Sequence, residues 1–396
     1  MKKQTFEIKP AQRMEVLPTQ FFAKLAGNVA SKLAQGHDVI NLGQGNPDQP
    51  TPVHIVEAMQ KATANPLYHK YSPFQGYRFV KEAIAEYYAK EYGVEVNPDT
   101  EVAVLFGGKS GLIEVSQCLL NPGDLCLVPD PGYPDYWSGI SLAEAKMEFM
   151  PLLEKNDFLP DYSQIDQATL QKAKMMFLNY PNNPTAGVAS AEFFKKTVDL
   201  AYDHQIAVVH DFAYGAIGFD GEKPRSFLQT PGAKEVGIEI YTMSKTYNMA
   251  GWRIGFALGN PEIIRLLNLI QDHQFVSLFG AVQEASAVAL TSSQECVEQL
   301  VSIYQKRRDH WYREAARIGW KGQKPKGSFF CWMPVPEKYD SVRFANLLLE
   351  EANIAVAPGI GFGSVGDRFV RVGLLTSEER FTEAAERLKK LGIFEQ

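Results

Sequence analysis

In YTMSKTYNMAGWRIGFALG (241–259), Lys245 stands just past an apolar run and eight residues ahead of Arg253, amid small and flexible residues. An amine so placed can act as a nucleophile or proton carrier, although a lysine in a polar loop is ordinarily a solvated side chain. The chemical reading rests on four further elements at the ends of other apolar runs. PNNPTAG (181–187) follows MMFLNY and puts the Asn183 amide where it can enter a cleft; taken alone it is an Asn-Pro turn. IAVVH delivers Asp211, with Tyr214 three residues later, a carboxylate and phenol that could equally form a structural pair. Gly107, Gly108 and Ser110 surround a helix start, whose free N–H groups and positive dipole end suit a phosphate. Arg371 lies inside FVRVGLL, where a charge is costly unless a buried ion pair or an anionic ligand answers it.

The elements that must position these residues alternate along the chain. VAVLF (102–106), LCLV (125–128), MMFL (175–178), IAVV (206–209), IEIYTM (238–243) and RIGFAL (253–258) read as buried strands. GLIEVSQCLL (111–120) and SAEFFKKTVDLAYDHQ (190–205) carry helical apolar spacing between them. This alternation predicts an α/β fold with a mainly parallel sheet covered on both faces, and in such sheets ligands bind beyond the carboxyl ends of the strands. Before it come a helical stretch (21–36) and a Gly/Pro-rich loop, LGQGNPDQPTP (42–52), whose composition is not that of a flexible linker. From about Leu290 the pattern changes to long amphipathic helices, a short strand pair near SFFCWMPV (328–335), strands at IAVAP (354–358) and FVRVGLL (369–375), and a closing helix capped by Ser377 and Gly392. We therefore expect an N-terminal segment (1–48) packing with a smaller C-terminal α+β domain (290–396), around a large domain (49–289).

Two glycine motifs mislead. Gly361, Gly363 and Gly366 satisfy G-x-G-x-x-G, but a strand follows and only 30 residues remain, too few for a dinucleotide-binding unit. Gly108-Lys109-Ser110 imitates a P-loop, yet Ala103 occupies the position of its first glycine. The seven histidines include no H-x-x-x-H pair, so no metal site is expected. A formal charge of -6 gives no reason to expect nucleic acid or an anionic membrane as partner. The four cysteines lack C-x-x-C spacing, no 18-residue apolar run occurs, and MKKQTFEIKP opens no secretory signal, which together predict a cytoplasmic protein.

These motifs closely resemble the class I/II aminotransferases of pyridoxal-5'-phosphate (PLP) fold type I, from LGQGNPD (42–48) to FVRVGLL (369–375), with SKTYNMAGWRIG the most specific match. The resemblance implies a seven-stranded, mainly parallel sheet with a smaller α+β domain, and PLP as cofactor. By it Lys245 carries the cofactor as a Schiff base, and Thr242, Arg253 and the backbone of Gly108, Lys109 and Ser110 hold its phosphate. Asp211 would pair with the ring nitrogen, Asn183 and Tyr214 with the ring hydroxyl oxygen, and Tyr133 of DPGYPDY would stack on the ring. Arg371 would grip the substrate carboxylate, with Asn183 also binding substrate and Gly45 approaching by backbone. Tyr71 of HKYSPFQG would reach the phosphate of a neighbouring subunit, making the active unit a homodimer with shared sites. One departure is visible: Ala186 stands where family members usually have the glycine after NPT.

Within the family, LGQGNPDQPTP, VLFGGKSGLIE, DPGYPDYWSG and HDFAYGAIGFDG look most like bacillus-type methionine-salvage transaminases, which implies 4-methylthio-2-oxobutanoate as acceptor and glutamine as donor. Consistent with an uncharged substrate side chain, Leu266 to Gln305 holds neither lysine nor arginine, although Arg78 or Lys109 could supply a cation from elsewhere. The alternatives are another fold type I enzyme, such as a carbon–sulfur β-lyase or a decarboxylase, an aspartate or aromatic aminotransferase, or a PLP-binding regulator.

Overall fold

The computed structural model describes residues 7–18 and 21–394, apart from the side chain of residue 21; the opening MKKQTF, read from sequence for a secretory signal, lies outside the described residues. The described residues form twelve strands: β1 (Ile40–Asn41), β2 (Val102–Leu105), β3 (Leu125–Asp130), β4 (Lys146–Pro151), β5 (Ala173–Asn179), β6 (Ala207–Asp211), β7 (Gly237–Thr242), β8 (Gly255–Gly259), β9 (Phe330–Pro334), β10 (Ile354–Ala355), β11 (Ala357–Pro358) and β12 (Phe369–Gly373). Seven of them form the main sheet in the order β2-β8-β7-β6-β5-β3-β4. All pairs are parallel except those of β8, which runs antiparallel to β2 and β7. The crossover order 7-6-5-3 places the ends of β5, β6 and β7 side by side, as the expected α/β fold requires.

In the main sheet the strands expected from apolar runs are all present and β4 is the addition; β1, outside that sheet, was not expected either. The β4 sequence, KMEFMP, mixes charged and apolar residues because it is an edge strand, paired only with β3 and largely exposed. Helices cover both faces of the sheet. On one face, the Arg78–Tyr92 and Ala191–His204 helices pack an aromatic core that includes Tyr87, Tyr88, Phe194, Phe212 and Phe256. On the other, the Gly108–Leu119, Asp135–Leu142 and Pro261–Gln274 helices enclose Leu112, Val128, Tyr136 and Ile240.

A separate core gathers Trp311, Trp320, Phe344, Phe381 and Leu388 from the C-terminal part, together with Ile40 and Leu42. β1 reaches it by pairing with β10 in parallel, so the N-terminal stretch joins the C-terminal layer. Two expectations need correction here. SFFCWMPV yields a single strand, β9, which pairs with β12 and not with a neighbour in its own segment. IAVAP is split, because Ile354–Ala355 pairs with β1 while Ala357–Pro358 pairs with β12; the chain changes sheets at Val356. The closing helix, Glu378–Lys390, begins as expected, with Ser377 Oγ accepting from the Arg380 N–H, and Gly392 follows it at φ +61°.

The misleading glycine run proves to be packing. A Cβ at Gly363 would lie 2.1 Å from Asp130 Oδ1, and the Asp130 carboxylate accepts from the Ser364 and Val365 N–H groups, so this turn clasps the end of β3.

Candidate active site

The carboxyl ends of β5, β6 and β7 open into a cavity of about 460 Å³ lined by Gly45, Gly108, Lys109, Tyr133, Asn183, Asp211, Tyr214, Thr242, Lys245, Arg253 and Arg371. The fold thus brings together eleven of the thirteen residues singled out from sequence. Ser110 and Tyr71 stand apart.

At one end of the cavity the Gly108–Leu119 helix begins. Gly107 precedes it at φ +86°, and a Cβ there would lie 2.8 Å from Arg253 Nη2, so glycine is needed both for the turn and for the approach of the guanidinium. Arg253 is itself left-handed, at φ +58°, and its Nη1 donates to the Ala250 carbonyl at 2.7 Å. Thr242 caps the Met243–Thr246 turn, its Oγ1 accepting from the Ser244 N–H. First-turn N–H groups, a guanidinium and hydroxyls on one concave surface form a cradle that can hold a dianionic phosphate. Ser110, expected to act through its backbone, is not among the residues lining the cavity, and its hydroxyl donates to the Gly107 carbonyl at 3.0 Å. Lys109 turns its ammonium to Asp135, 2.9 Å away.

In the middle lies Asp211, buried at the end of β6. Desolvation pushes its pKa up, opposed chiefly by a hydrogen bond to Oδ2 from the Tyr136 hydroxyl at 2.7 Å. Its phenolic partner is therefore Tyr136, three residues beyond Tyr133, and not Tyr214. Asn179 Nδ2 also holds the Asp211 carbonyl at 2.8 Å. The Asn-Pro turn divides its labour. Asn182 Oδ1 accepts from the Thr185 N–H and hydroxyl, which makes the turn, while the Asn183 amide faces the cavity and meets Arg371 there. Ala186, where the family pattern has glycine, sits in the left-handed region at φ +59°. Lys245 Nζ donates to the Gly45 carbonyl at 3.0 Å; burial, then the positive charges of Arg371 and Arg253, bring its pKa down to about 8, with Asp211 opposing them.

Arg371 closes the far end. It is 5 % exposed and lies over the ring of Phe330 at 4.0 Å. Its Nη1 donates to Asn183 Oδ1 at 2.9 Å and its Nη2 to the Gly43 carbonyl at 3.1 Å, while Nε is buried without a partner. Among the described residues no carboxylate pairs with it, so the buried ion pair considered from sequence is absent, and desolvation lowers its pKa to about 10. The Gly/Pro-rich loop is pinned beside it: Asp48 receives both Nη groups of Arg307 at 2.9 and 2.8 Å, and Gln44 reaches the Leu375 carbonyl. A Cβ at Gly45 would sit 3.4 Å from Arg371 Nη2.

Sequence reasoning missed the Phe21–Ala34 helix as a wall. Phe22, Leu25, Ala26 and Val29 line the cavity, and no local signal in an amphipathic helix tells which surface it will cover. Tyr71 is 82 % exposed and outside this cavity. No group of three or more His, Cys, Asp or Glu that could hold a metal occurs among the described residues, and no described helix is long and apolar enough to cross a membrane.

Comparison with known proteins agrees with this geometry. The model for aminotransferase class I and II matches residues 37–388. The chain is 62% identical to L-glutamine--4-(methylsulfanyl)-2-oxobutanoate aminotransferase of Bacillus subtilis, over 97% of this chain and 96% of that one. It is 50% identical to transaminase BacF of the same organism, over 98% and 97%. A substrate-bound BacF structure superposes with a TM-score of 0.95, covering 99% of this chain and all of that one. With a cradle for phosphate, a buried carboxylate, a lysine and an unpaired arginine around one cavity, and with these relatives, the chain belongs to the class I and II aminotransferases, PLP-dependent enzymes that move an amino group between an amino acid and a 2-oxo acid.

Proposed function

We propose that this enzyme transaminates substrates with uncharged side chains, converting 4-(methylsulfanyl)-2-oxobutanoate to methionine with glutamine as donor. The observation that carries the proposal is the distribution of cations. Four line the cavity: Lys245 and Arg253 lie at the cofactor end, Lys109 is paired with Asp135, and only Arg371 faces the substrate end without a carboxylate. Arg78, the other candidate, is outside the cavity and pairs with Glu82 and Asp99. A second substrate carboxylate would be desolvated against Phe22, Leu25 and Val29, a surface suited to a thioether or amide chain. The relative 62% identical carries this reaction in its name, which supports the same reading.

In this proposal the helix start at Gly108, Thr242 and Arg253 would hold the cofactor phosphate, and Tyr133 would lie against the ring. The bound cofactor would supply an electron sink for the substrate Cα. Asp211 would keep a proton on the ring nitrogen by direct charge pairing. Asn183 and Tyr214 would bond the ring hydroxyl oxygen. Arg371 takes the α-carboxylate through a planar two-pronged contact and so orients the Cα–H bond toward Lys245, whose amine removes the proton and returns it. Tyr71, exposed in the single chain, completes the phosphate site of a second copy, which makes the enzyme a homodimer.

A steady-state screen of amino donors against several 2-oxo acids tests the substrate. Glutamine and methionine should exceed aspartate in kcat/KM by about tenfold or more, since an unpaired desolvated charge costs several kcal/mol and each 1.4 kcal/mol is a factor of ten. Aspartate as the best donor would overturn the proposal. Mixing inactive Lys245→Ala and Tyr71→Phe chains should restore part of the activity, and a fully active monomer in sedimentation would refute the shared site.

A further inference from the structure

Behind Asp211, on the face of the sheet turned away from the cavity, lies a polar network for which the reaction as described has no use. Glu239 of β7 is fully buried within an apolar strand, and no lysine or arginine pairs with it among the described residues. Instead its carboxylate accepts four hydrogen bonds. Tyr88 Oη (2.8 Å) and Ser226 Oγ (2.7 Å) donate to Oε1, and the Phe227 N–H (2.8 Å) and His210 Nδ1 (2.7 Å) donate to Oε2. The Tyr180 N–H points at His210 Nε2 from 3.2 Å. A backbone N–H can only donate, so Nε2 is the acceptor and the ring proton sits on Nδ1, facing Glu239.

Each linked strand leads straight into the active site. Tyr180 follows β5 and precedes Asn183 by three residues. His210 immediately precedes Asp211 on β6. Glu239 lies three residues before Thr242 and six before Lys245. A second link on the same face runs from Tyr87 Oη to Tyr241 Oη (3.2 Å) and on to Thr246 Oγ1 (2.6 Å), the residue after Lys245. Ladder hydrogen bonds hold the strands together but stop where they end: the last β5–β6 pair is Asn179 with Asp211, and the last β6–β7 pair is Asp211 with Ile240. The loops beyond must be fixed by something else.

We propose that Glu239, through His210, is a positioning residue that sets the ends of β5, β6 and β7 relative to one another and thereby fixes Asn183, Asp211 and Lys245 around the cofactor. This rests on the reading of Asp211 and Lys245 as cofactor residues. The variants separate connectivity from charge. In Glu239→Gln the amide oxygen can accept from the Phe227 N–H and His210 Nδ1, and the amide NH2 can donate to the Tyr88 and Ser226 oxygens, so every link survives without the charge. Glu239→Leu keeps the bulk and removes every link; His210→Phe removes the Tyr180 and Glu239 links alone.

Apoprotein of each variant is titrated with PLP to obtain Kd. The pH midpoint of the visible cofactor band, kcat and KM are then measured on the loaded enzyme. Glu239→Gln should stay within about threefold of wild type in Kd and kcat, as retained hydrogen-bond connectivity predicts. His210→Phe and Glu239→Leu should weaken PLP binding and lower kcat, each by about tenfold or more, the equivalent of losing one or two buried hydrogen bonds, and should shift the band's pH midpoint. KM for the amino donor should change less than Kd for PLP, because Arg371 is carried by β12 and is held by the Gly43 carbonyl as well as by Asn183. Wild-type Kd and pH midpoint in folded His210→Phe would overturn the proposal, as would a Glu239→Gln enzyme as impaired as Glu239→Leu. If the two drastic variants do not fold, Ser226→Ala, which removes one donor of four, should show a shifted pH midpoint together with a partial loss of PLP affinity; wild-type values there would also overturn it. A failure of the underlying reading is distinguishable, since Lys245→Ala would then retain the visible band.

Discussion

Two buried charges on opposite sides of the main sheet are treated in contrary ways. On the far side the Glu239 carboxylate has a donor for each position it can fill, drawn from a helix, a turn and a neighbouring strand. On the cavity side the Arg371 guanidinium is nearly as buried, yet its Nε has no partner and no carboxylate answers its charge. An unpaired polar group in the interior costs about 1–3 kcal/mol, and more when charged. The fold meets that cost in full where the group has only to hold strands together. It leaves the cost standing where a ligand is to meet it. Incomplete satisfaction is thus a better mark of the site than burial or charge alone.

The largest effect should come from the cavity-side lysine, whose pKa burial and two guanidinium groups bring down to about 8. Lys245→Ala should reduce turnover on the order of 10⁴-fold or more, since both the covalent anchor and the proton carrier are lost. Borohydride reduction of the wild type followed by peptide mapping should place the adduct on Lys245; an adduct on Lys109 would break the assignment. Because burial and two neighbouring guanidinium groups depress the Lys245 pKa to about 8, its free-base fraction grows as pH rises through 8. Capture of PLP by the apoprotein, followed by stopped-flow absorbance, should accelerate through that range and level off above it. A rise continuing toward pH 10 would show an ordinary lysine.

Arg371→Met comes next. Removing the cation leaves the substrate carboxylate desolvated and unpaired, a loss of roughly 3–5 kcal/mol, or about 10²- to 4 × 10³-fold in kcat/KM. Since the apoprotein meets the cost of burying Arg371 only in part, through Asn183, Gly43 and the Phe330 ring, the same variant should unfold at an equal or higher temperature than wild type. Glu239→Leu, by contrast, should lower the melting temperature. Opposite signs would sharpen the comparison; a large destabilisation by Arg371→Met would break it.

Asp211→Asn should follow. An opposite charge nearby shifts a pKa by about 1–3 units, so loss of the carboxylate should reduce the protonated-ring population, and turnover with it, by about 10–10³-fold while PLP stays bound. Near-normal turnover with an unchanged spectrum would remove this role.

These contrasts also explain what the sequence could reveal. Asp211, Asn183 and Lys245 were legible because each follows an apolar run, and in a parallel sheet the run's end is a location as well as a boundary. Arg371 was legible as a charge inside such a run. By the same logic, Glu239 in IEIYT and His210 in IAVVH are polar intrusions that could have been noticed, but nothing local says that they meet across a ladder at paired positions. Tyr136 was hidden by its neighbour: the DPGYPDY motif drew the reading to Tyr133, while helical geometry brings Tyr136 to Asp211. β4 escaped because an edge strand has no continuous apolar run to show, and the Phe21–Ala34 helix because its place in the cavity wall is decided by tertiary packing.

The smallest effect concerns Ala186, the departure in the PNNPTAG turn. At φ +59° an alanine carries a strain of about 1–2 kcal/mol relative to glycine. Against replacement stand the greater chain entropy of glycine, roughly 0.5–1 kcal/mol, and the loss of one buried methyl, about 0.8 kcal/mol, since Ala186 is only 3 % exposed. These contributions nearly cancel, which is why the turn can hold alanine and still present Asn183 to Arg371. Ala186→Gly should therefore change unfolding free energy by less than about 1 kcal/mol and leave kcat/KM unaltered. Ala186→Val should behave otherwise, because a β-branched side chain at positive φ is strained and must also fit beside Gly187, whose own Cβ position lies 3.1 Å from the Asp157 carbonyl. That variant should lose about 2 kcal/mol or more and, by displacing Asn183, lower kcat/KM. If Ala186→Gly cost as much as Ala186→Val in a denaturant titration, the methyl group would be a packing element of the site, and the turn would belong with the fully satisfied region behind the sheet.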